Sequence, residues 1–205
     1  VFPEQDSIYT VIYVAYDGGY VGCIEIGDGV KADAKRAVAE LKRQGVEYCT
    51  MLTGDNSARA AAVAGEVGLD GFEAGLLPDG KLECAERLRR RGKLIYVGDG
   101  INDAPVMAAA DCAVSMGKVG SDAAIEASDM VLVTDNLELL PKAGRIARGT
   151  RSIVFQNIAG SLAVKLVVMV LGVAVQGFPL IAAVAADVGV MLIAVLNSMR
   201  TKLIK

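Results

Sequence analysis

Histidine is absent from this 205-residue chain. That removes imidazole general-base catalysis and every His-containing metal site from consideration. An excess of positive charge is lacking as well: 21 Lys and Arg against 24 Asp and Glu leave a formal net charge of -3. Nucleic acid calls for a basic surface and is therefore excluded as a partner. Cysteine is sparse, and Cys23, Cys49, Cys84 and Cys112 form no Cys-x-x-Cys pair. They read as reduced packing residues rather than disulfides or metal ligands. No signal peptide opens the chain, which starts at Val1 inside what reads as a β-hairpin, as if cut from a longer protein. What the chain does have is apolar surface. Its hydrophobic fraction of 53% and mean hydropathy of +0.43 exceed those of an ordinary soluble domain and place part of it in lipid.

Residues 8–16 and 20–26 read as two strands joined by an Asp17-Gly18-Gly19 turn. From residue 31 to 135 helical and strand patterns alternate. Residues 33–44 are amphipathic and stop at Gly45, while 58–67 and 80–91 are helical and stop at Gly68 and Gly92. Runs 47–52, 94–97, 112–116 and 130–134 are the strand candidates. Strands alternating with helices of this length imply right-handed crossovers and an α/β domain, a doubly wound parallel sheet with helices on both faces.

Beyond residue 140 the character changes. Lys142, Arg145, Arg148 and Arg151 form a basic stretch, followed by apolar runs 153–175 and 178–196 around Gln176-Gly177. Each run approaches the roughly 20 residues that cross a bilayer as a helix. Arg200, Lys202 and Lys205 make the far flank positive too. By the positive-inside rule both ends of this transmembrane hairpin are cytoplasmic and its loop is outside. A buried helical hairpin of a soluble protein fits the run lengths and the charge asymmetry less well.

Ligands of an open α/β sheet sit outside the carboxyl ends of its strands. Two loops there set carboxylates beside glycines. In Thr53-Gly54-Asp55-Asn56 the glycine allows close approach, and Thr53 offers a hydroxyl and an amide to a phosphoryl oxygen. In Gly98-Asp99-Gly100-Ile101-Asn102-Asp103-Ala104-Pro105, Asp99 and Asp103 are hard oxygen donors of the kind Mg2+ prefers, and Asn102 can orient them. Lys81, at the start of a helix, can neutralise charge on a transferring phosphoryl group. A lone Thr-Gly-Asp is a common turn, and a lone lysine is by default a solvated one. The eight-residue string and the order of all three features are far more specific.

Polar groups inside the apolar runs are costly and so informative. Lys165 and Asp187 lie at about the same distance from the Gln176-Gly177 loop, roughly 15 Å along each helix. Opposite charges at one depth favour an ion pair or a shared metal site. A lysine at the midplane is badly placed to snorkel to either interface. A carboxylate suits a divalent cation, whereas copper(I) favours thiolates and thioethers.

Together, Thr53-Gly54-Asp55, Lys81 and the string from Gly98 to Pro105 resemble the phosphorylation domain of P-type ATPases, within the haloacid dehalogenase-like superfamily. The continuations from Val106 to Gly117 and from Ser121 to Asp129 resemble it as well, so the likeness covers nearly the whole chain. It implies that Asp99 binds Mg2+ with support from Asp103 and Asn102. Thr53, Gly54, Asp55 and Lys81 would surround a phosphoryl group drawn from ATP. It further implies that residues 1–27 end a nucleotide-binding domain and that 28–140 form a phosphorylation domain without its first motif. Residues 141–205 would be a basic linker and the two membrane helices.

Asn157 followed eight residues later by Lys165, with Asp187-Val188-Gly189, is similar to the signature of zinc, cadmium and lead exporters. Copper-transporting relatives carry Met where Asp187 stands and Tyr-Asn where this chain has Gln156-Asn157. The implied cation site is Asp187, with Lys165 as a countercharge that helps expel the metal and Asn157 nearby. The implied location is the plasma membrane, with the α/β domain and C-terminus cytoplasmic.

The family's Asp-Lys-Thr-Gly-Thr nucleophile motif, Thr-Gly-Glu loop, His-Pro pair and Cys-Pro-Cys motif do not occur in this sequence. In the family they lie upstream, so the chain is expected to be a C-terminal piece whose partner is the missing upstream part of the same protein. Alone it is expected to form no aspartyl-phosphate. Two other readings stay open. One is a membrane-anchored phosphatase of the same superfamily, for which Asp17 and Asp28 are nucleophile candidates in unsuitable glycine turns. The other is an inactive truncated product acting as a subunit or regulator. A plain anchor leaves Lys165 and Asp187 without a use.

Overall fold

Asp17 and Gly18 both adopt positive φ, 46° and 75°, the backbone that a two-residue type I′ hairpin turn requires. They join β1 (Thr10–Tyr16) to β2 (Gly19–Ile26) in an antiparallel pair with a register shift at Val14/Ala15. These positions come from a computed structural model, which describes residues 10–27, 29–98, 103–116, 126, 128–175 and 179–204. Expected features at Ile8, Tyr9, Asp28, Asp99, Gly100, Ile101, Asn102, Gln176 and Gly177 fall outside the described residues. The chain divides into two units, Val1–Leu140 and Pro141–Lys205.

In the first unit, glycine and cap residues mark several helix ends. α1 (Ala34–Arg43) is followed by Gly45 at φ 94°. Ahead of α2 (Ser57–Val67), Asn56 Oδ1 accepts the Arg59 amide at 2.8 Å, and Gly68 closes the helix at φ 81°. α3 (Pro78–Arg89) starts two residues before Gly80, because Pro78 fits the first helical turn, where its missing N–H loses nothing. Two elements carry no sequence periodicity and are found only here. They are β4 (Gly71–Glu73), with a single apolar side chain, and α4 (Ala104–Ala109), a turn and a half long.

β3 (Thr50–Leu52) pairs in parallel with β4. β5 (Ile95–Gly98), β6 (Cys112–Met116) and β7 (Met130–Leu132) form a second parallel sheet in that order. The parallel α/β pattern is thus present, but its strands are divided between two sheets. Among the described residues β3 has a ladder only with β4, and β5 only with β6. Side chains join the two sheets instead. Leu52 at the end of β3 packs against the cluster of Ala85, Tyr96, Val106, Met107 and Ala113, which draws on α3, β5, α4 and β6.

Asp111 pins the start of β5 to the start of β6. Its carboxylate accepts the Leu94 amide at 3.0 Å and Lys93 Nζ at 2.9 Å, and Arg89 lies beside it. The Leu94 N–H first, then Lys93, pull its pKa down to about 2. A carboxyl held below its unfolded value of about 3.9 stabilises the fold above that pH. The contribution is lost as pH falls from about 4 toward about 2. We therefore expect Asp111→Asn to melt several degrees lower at neutral pH, with the gap closing at acid pH. Thermal melts of both proteins across that range check it, and a gap independent of pH would refute it.

The second unit is helical. α5 (Leu139–Ala174) runs 36 residues, about 54 Å at the usual rise. α6 (Leu180–Ser198) follows and ends in a 3-10 turn (Met199–Leu203). The basic stretch expected as a linker is instead the opening of α5. Pro141 sits in the first turn, where an amide has no helical partner, and no later residue of the stretch breaks the helix. Both helices are long and apolar enough to cross a membrane.

Candidate functional site

The loop after β3 is knitted to the segment leading into α3. Thr53 N donates to Glu73 O at 2.9 Å, Leu76 N to Thr53 O at 3.0 Å and Gly75 N to Asp55 O at 2.8 Å. Gly54 lies under the Leu76 carbonyl, 3.4 Å from where a Cβ would stand. The Thr53 hydroxyl oxygen accepts the Asp55 amide at 3.1 Å, which curls the loop. Thr53 is half-buried, whereas Gly54 and Asp55 face solvent. The loop therefore presents a hydroxyl and a carboxylate on a backbone braced from behind.

Leu77, next along, occupies the N-cap position of α3 without a side-chain bond, and Lys81 in the following turn reaches the second loop. Its Nζ stands 2.8 Å from Asp103 Oδ1, and the two side chains are only 20% and 13% exposed. Asp103 occupies the N-cap position of α4. Gly98 at the end of β5 makes room for its other oxygen: a Cβ there would lie 2.9 Å from Asp103 Oδ2. The cradle thus holds a hard, anionic oxygen pair against a strand end, a donor set that fits Mg2+ better than a softer metal. Ser115, buried and directly across the ladder from Gly98, was not singled out from sequence. Its signal is a lone hydroxyl in the apolar run of β6. Asp99 and Asn102 lie outside the described residues.

In the second unit, Lys165 Nζ of α5 is 3.1 Å from Asp187 Oδ1 of α6. Val164, Met169, Ala183 and Val190 line the apolar cleft of about 250 Å3 around them. Both charged side chains are about three-fifths exposed, so the pair is accessible from the cleft. Among the described residues, no group of three or more His, Cys, Asp or Glu side chains lies together. Toward the basic end, Asn157 bonds not to this pair but to Asn197 and Ser198 of α6. Asn197 and Ser198 are polar residues closing an apolar run, a signal open to sequence reading but not used for a site.

A family model described as haloacid dehalogenase-like hydrolase matches residues 4–111. The chain belongs to that family. Among curated relatives, this haloacid dehalogenase-like chain is 49% identical over 198 residues to a zinc-transporting ATPase of Synechocystis. It is 46% identical over 207 residues to a cadmium, zinc and cobalt-transporting ATPase of Bacillus subtilis. These alignments take in 95% and 99% of the chain but 27% and 29% of the relatives, so the chain spans little more than a quarter of their length. The crystal structure of a zinc-transporting PIB-type ATPase superposes with a TM-score of 0.81 at 39% identity. That match covers 94% of this chain and 31% of the other.

Proposed function

We propose that this chain supplies part of the phosphorylation domain and part of the ion path of a P-type ATPase that exports a divalent heavy-metal cation. The observation that carries the reading is the Lys165–Asp187 pair, set in two apolar helices of the same chain as the Lys81–Asp103 cradle. Similarity to zinc- and cadmium-transporting ATPases over almost the whole chain supports it. The cargo is Zn2+ or Cd2+, and Pb2+ has the same charge. Asp187 holds it and Lys165 provides the countercharge, with Asn157 further along α5. Donors beyond the described residues complete the cargo site.

In this reading Thr53, Gly54 and Asp55 face the phosphoryl group, and Lys81 balances the charge that develops on it. Asp99 and Asp103, oriented by Asn102, would hold Mg2+. When bound, Mg2+ neutralises phosphoryl oxygens while ATP supplies the group. The strand bearing the phosphorylated aspartate would come from the remainder of the protein and could pair with the edges of β3 and β5 that carry no ladder among the described residues. Residues 1–27 close the nucleotide-binding domain, 28–140 belong to the phosphorylation domain, and 141–205 form the membrane hairpin. The α/β part and the C-terminus lie on the cytoplasmic face of the plasma membrane, where the basic residues 142–151 and 200–205 would hold both ends.

The deciding experiment is radiolabelled metal uptake into inside-out vesicles carrying the full-length protein. ATP-driven uptake of Zn2+ and Cd2+ is expected, with copper(I) excluded. Equal transport of copper(I), or metal-independent hydrolysis of small phosphomonoesters without uptake, would sink the proposal. The chain alone is expected to incorporate no acid-stable phosphate from labelled ATP, since it has no Asp-Lys-Thr-Gly-Thr motif.

A further inference from the structure

Asn157 lies near the basic end of the apolar run of α5, and all of its polar atoms are occupied. A carboxamide offers two N–H donors and one carbonyl. The Nδ2 group donates to Ala194 O at 3.2 Å and to Ser198 Oγ at 2.9 Å, and Oδ1 accepts Asn197 Nδ2 at 2.8 Å. The reversed amide would turn its oxygen on the Ala194 carbonyl, so the network fixes its orientation. Ser198 Oγ in turn donates to Ala194 O at 2.8 Å, and Arg200 Nη1 holds Asn197 Oδ1 at 2.9 Å. The second Asn197 N–H reaches Gln156 Oε1 at 3.4 Å. Nearby, Gly149 lies against Ile204, whose side chain fills the space a Cβ would need.

We propose that Asn157 and Asn197 form an interhelical clasp that sets the register at which Lys165 faces Asp187. They are positioning residues and not ligands of the cation. The inference rests on the proposed function for the role of that pair. Lys165 is eight residues from Asn157 on α5, and Asp187 is ten from Asn197 on α6. That spacing sets the two polar rungs about 12–15 Å apart along the helices. One antiparallel register satisfies both. Sliding α6 by one residue shifts Asp187 by about 1.5 Å and turns it by about 100°, enough to end a 3.1 Å contact. Between the rungs no hydrophobic drive favours one register, because lipid is as apolar as the side chains, and side-chain packing is left to choose. The directional amide bonds add a sharper preference to it.

The test is disulfide formation between Met169→Cys and Ala183→Cys, which line the cleft beside the ion pair. It is run in the full-length chain in membrane vesicles and read as the linked peptide by mass spectrometry. Asn157→Ala and Asn197→Ala are each expected to slow linkage roughly fivefold. The double variant should be slowed by less than the product of the two single effects, since the two residues share the Asn157–Asn197 bond. Both singles should also raise the KM for Zn2+ alike. If Asn157→Ala leaves linkage unchanged while raising KM, and Asn197→Ala changes neither linkage nor KM, Asn157 is a cargo ligand and the clasp is wrong. Should either variant fail to reach the membrane, Ser198→Ala removes a single interhelical bond, along with the hydroxyl's own bond to Ala194 O within α6. It is expected to slow linkage about twofold, and an unchanged rate would overturn the clasp. The readouts separate the two proposals. A failed pump reading shows as absent metal uptake with linkage intact, and a failed clasp shows as unaltered linkage with uptake intact.

Discussion

Replacing Asp187 by Ala is expected to lower ATP-driven Zn2+ uptake by vesicles about a hundredfold or more. The estimate follows from ligand chemistry: loss of a mere supporting group around a metal typically costs 10- to 100-fold in affinity, and Asp187 is proposed to touch the cargo itself. The substitution also strips Lys165 of the partner that stands 3.1 Å away in an apolar cleft. A lysine left uncompensated in lipid would repel an incoming cation and disfavour the membrane-inserted state. Asp187→Ala/Lys165→Ala separates these contributions. It removes the stranded charge, so membrane levels should return to normal while uptake stays lost. If Asp187→Ala transports Zn2+ at the wild-type rate, the cargo site lies elsewhere. Asp187→Asn should behave like Asp187→Ala in transport, because a neutral amide oxygen lacks the charge that balances a dication.

Lys81→Met is the second large effect, a fall of roughly 10²- to 10³-fold in ATP turnover by the full-length protein. Lys81 reaches from α3 into the second loop, where Gly98 and the cap of α4 hold Asp103 in place. In the proposed site its ammonium balances charge as the phosphoryl group transfers, and a thioether cannot. The change also leaves Asp103 only 13% exposed and without its cation. That should cost about 2 kcal/mol of stability, less than for a fully buried pair because both groups keep some water. Lys81→Arg tells the two roles apart. The guanidinium restores charge to Asp103, so the melting temperature should recover. Its fork cannot reproduce a point contact with the phosphoryl group, so turnover should stay depressed. Normal turnover in Lys81→Met, with only a lower melting temperature, would reduce Lys81 to a structural residue.

Local pattern made much of this protein legible. The helix stops at Gly45 and Gly68 need only backbone reasoning, since a left-handed residue favours glycine wherever it occurs. Asp17-Gly18 announces its hairpin in the same way. The apolar runs that became α5 and α6, and the charges inside them, stand out by length and contrast alone. The candidate phosphate loops are contiguous strings, so the expectation about their chemistry needs no knowledge of the fold. Similarity to transporting ATPases supports that reading at the level of the whole chain.

Other features depend on residues far apart in the chain, and no local pattern encodes them. β4 is three residues with one apolar side chain, recognisable only from its ladder with β3. The division of the parallel strands between two sheets is likewise a matter of which edges meet. Lys81 finds Asp103 across 22 residues because α3 and α4 pack on one core, and Gly98 matters because a carboxylate happens to lie above it. The basic stretch looked like a linker because charge masks helical periodicity, yet its backbone satisfies itself within α5. The sequence by itself determined the helix ends, the membrane-length runs and the chemical character of the loops, all consequences of short-range sterics and solvation. Tertiary structure alone decided that Asn157 turns to Asn197, 40 residues away, because an amide in an apolar helix takes the nearest partner that packing brings.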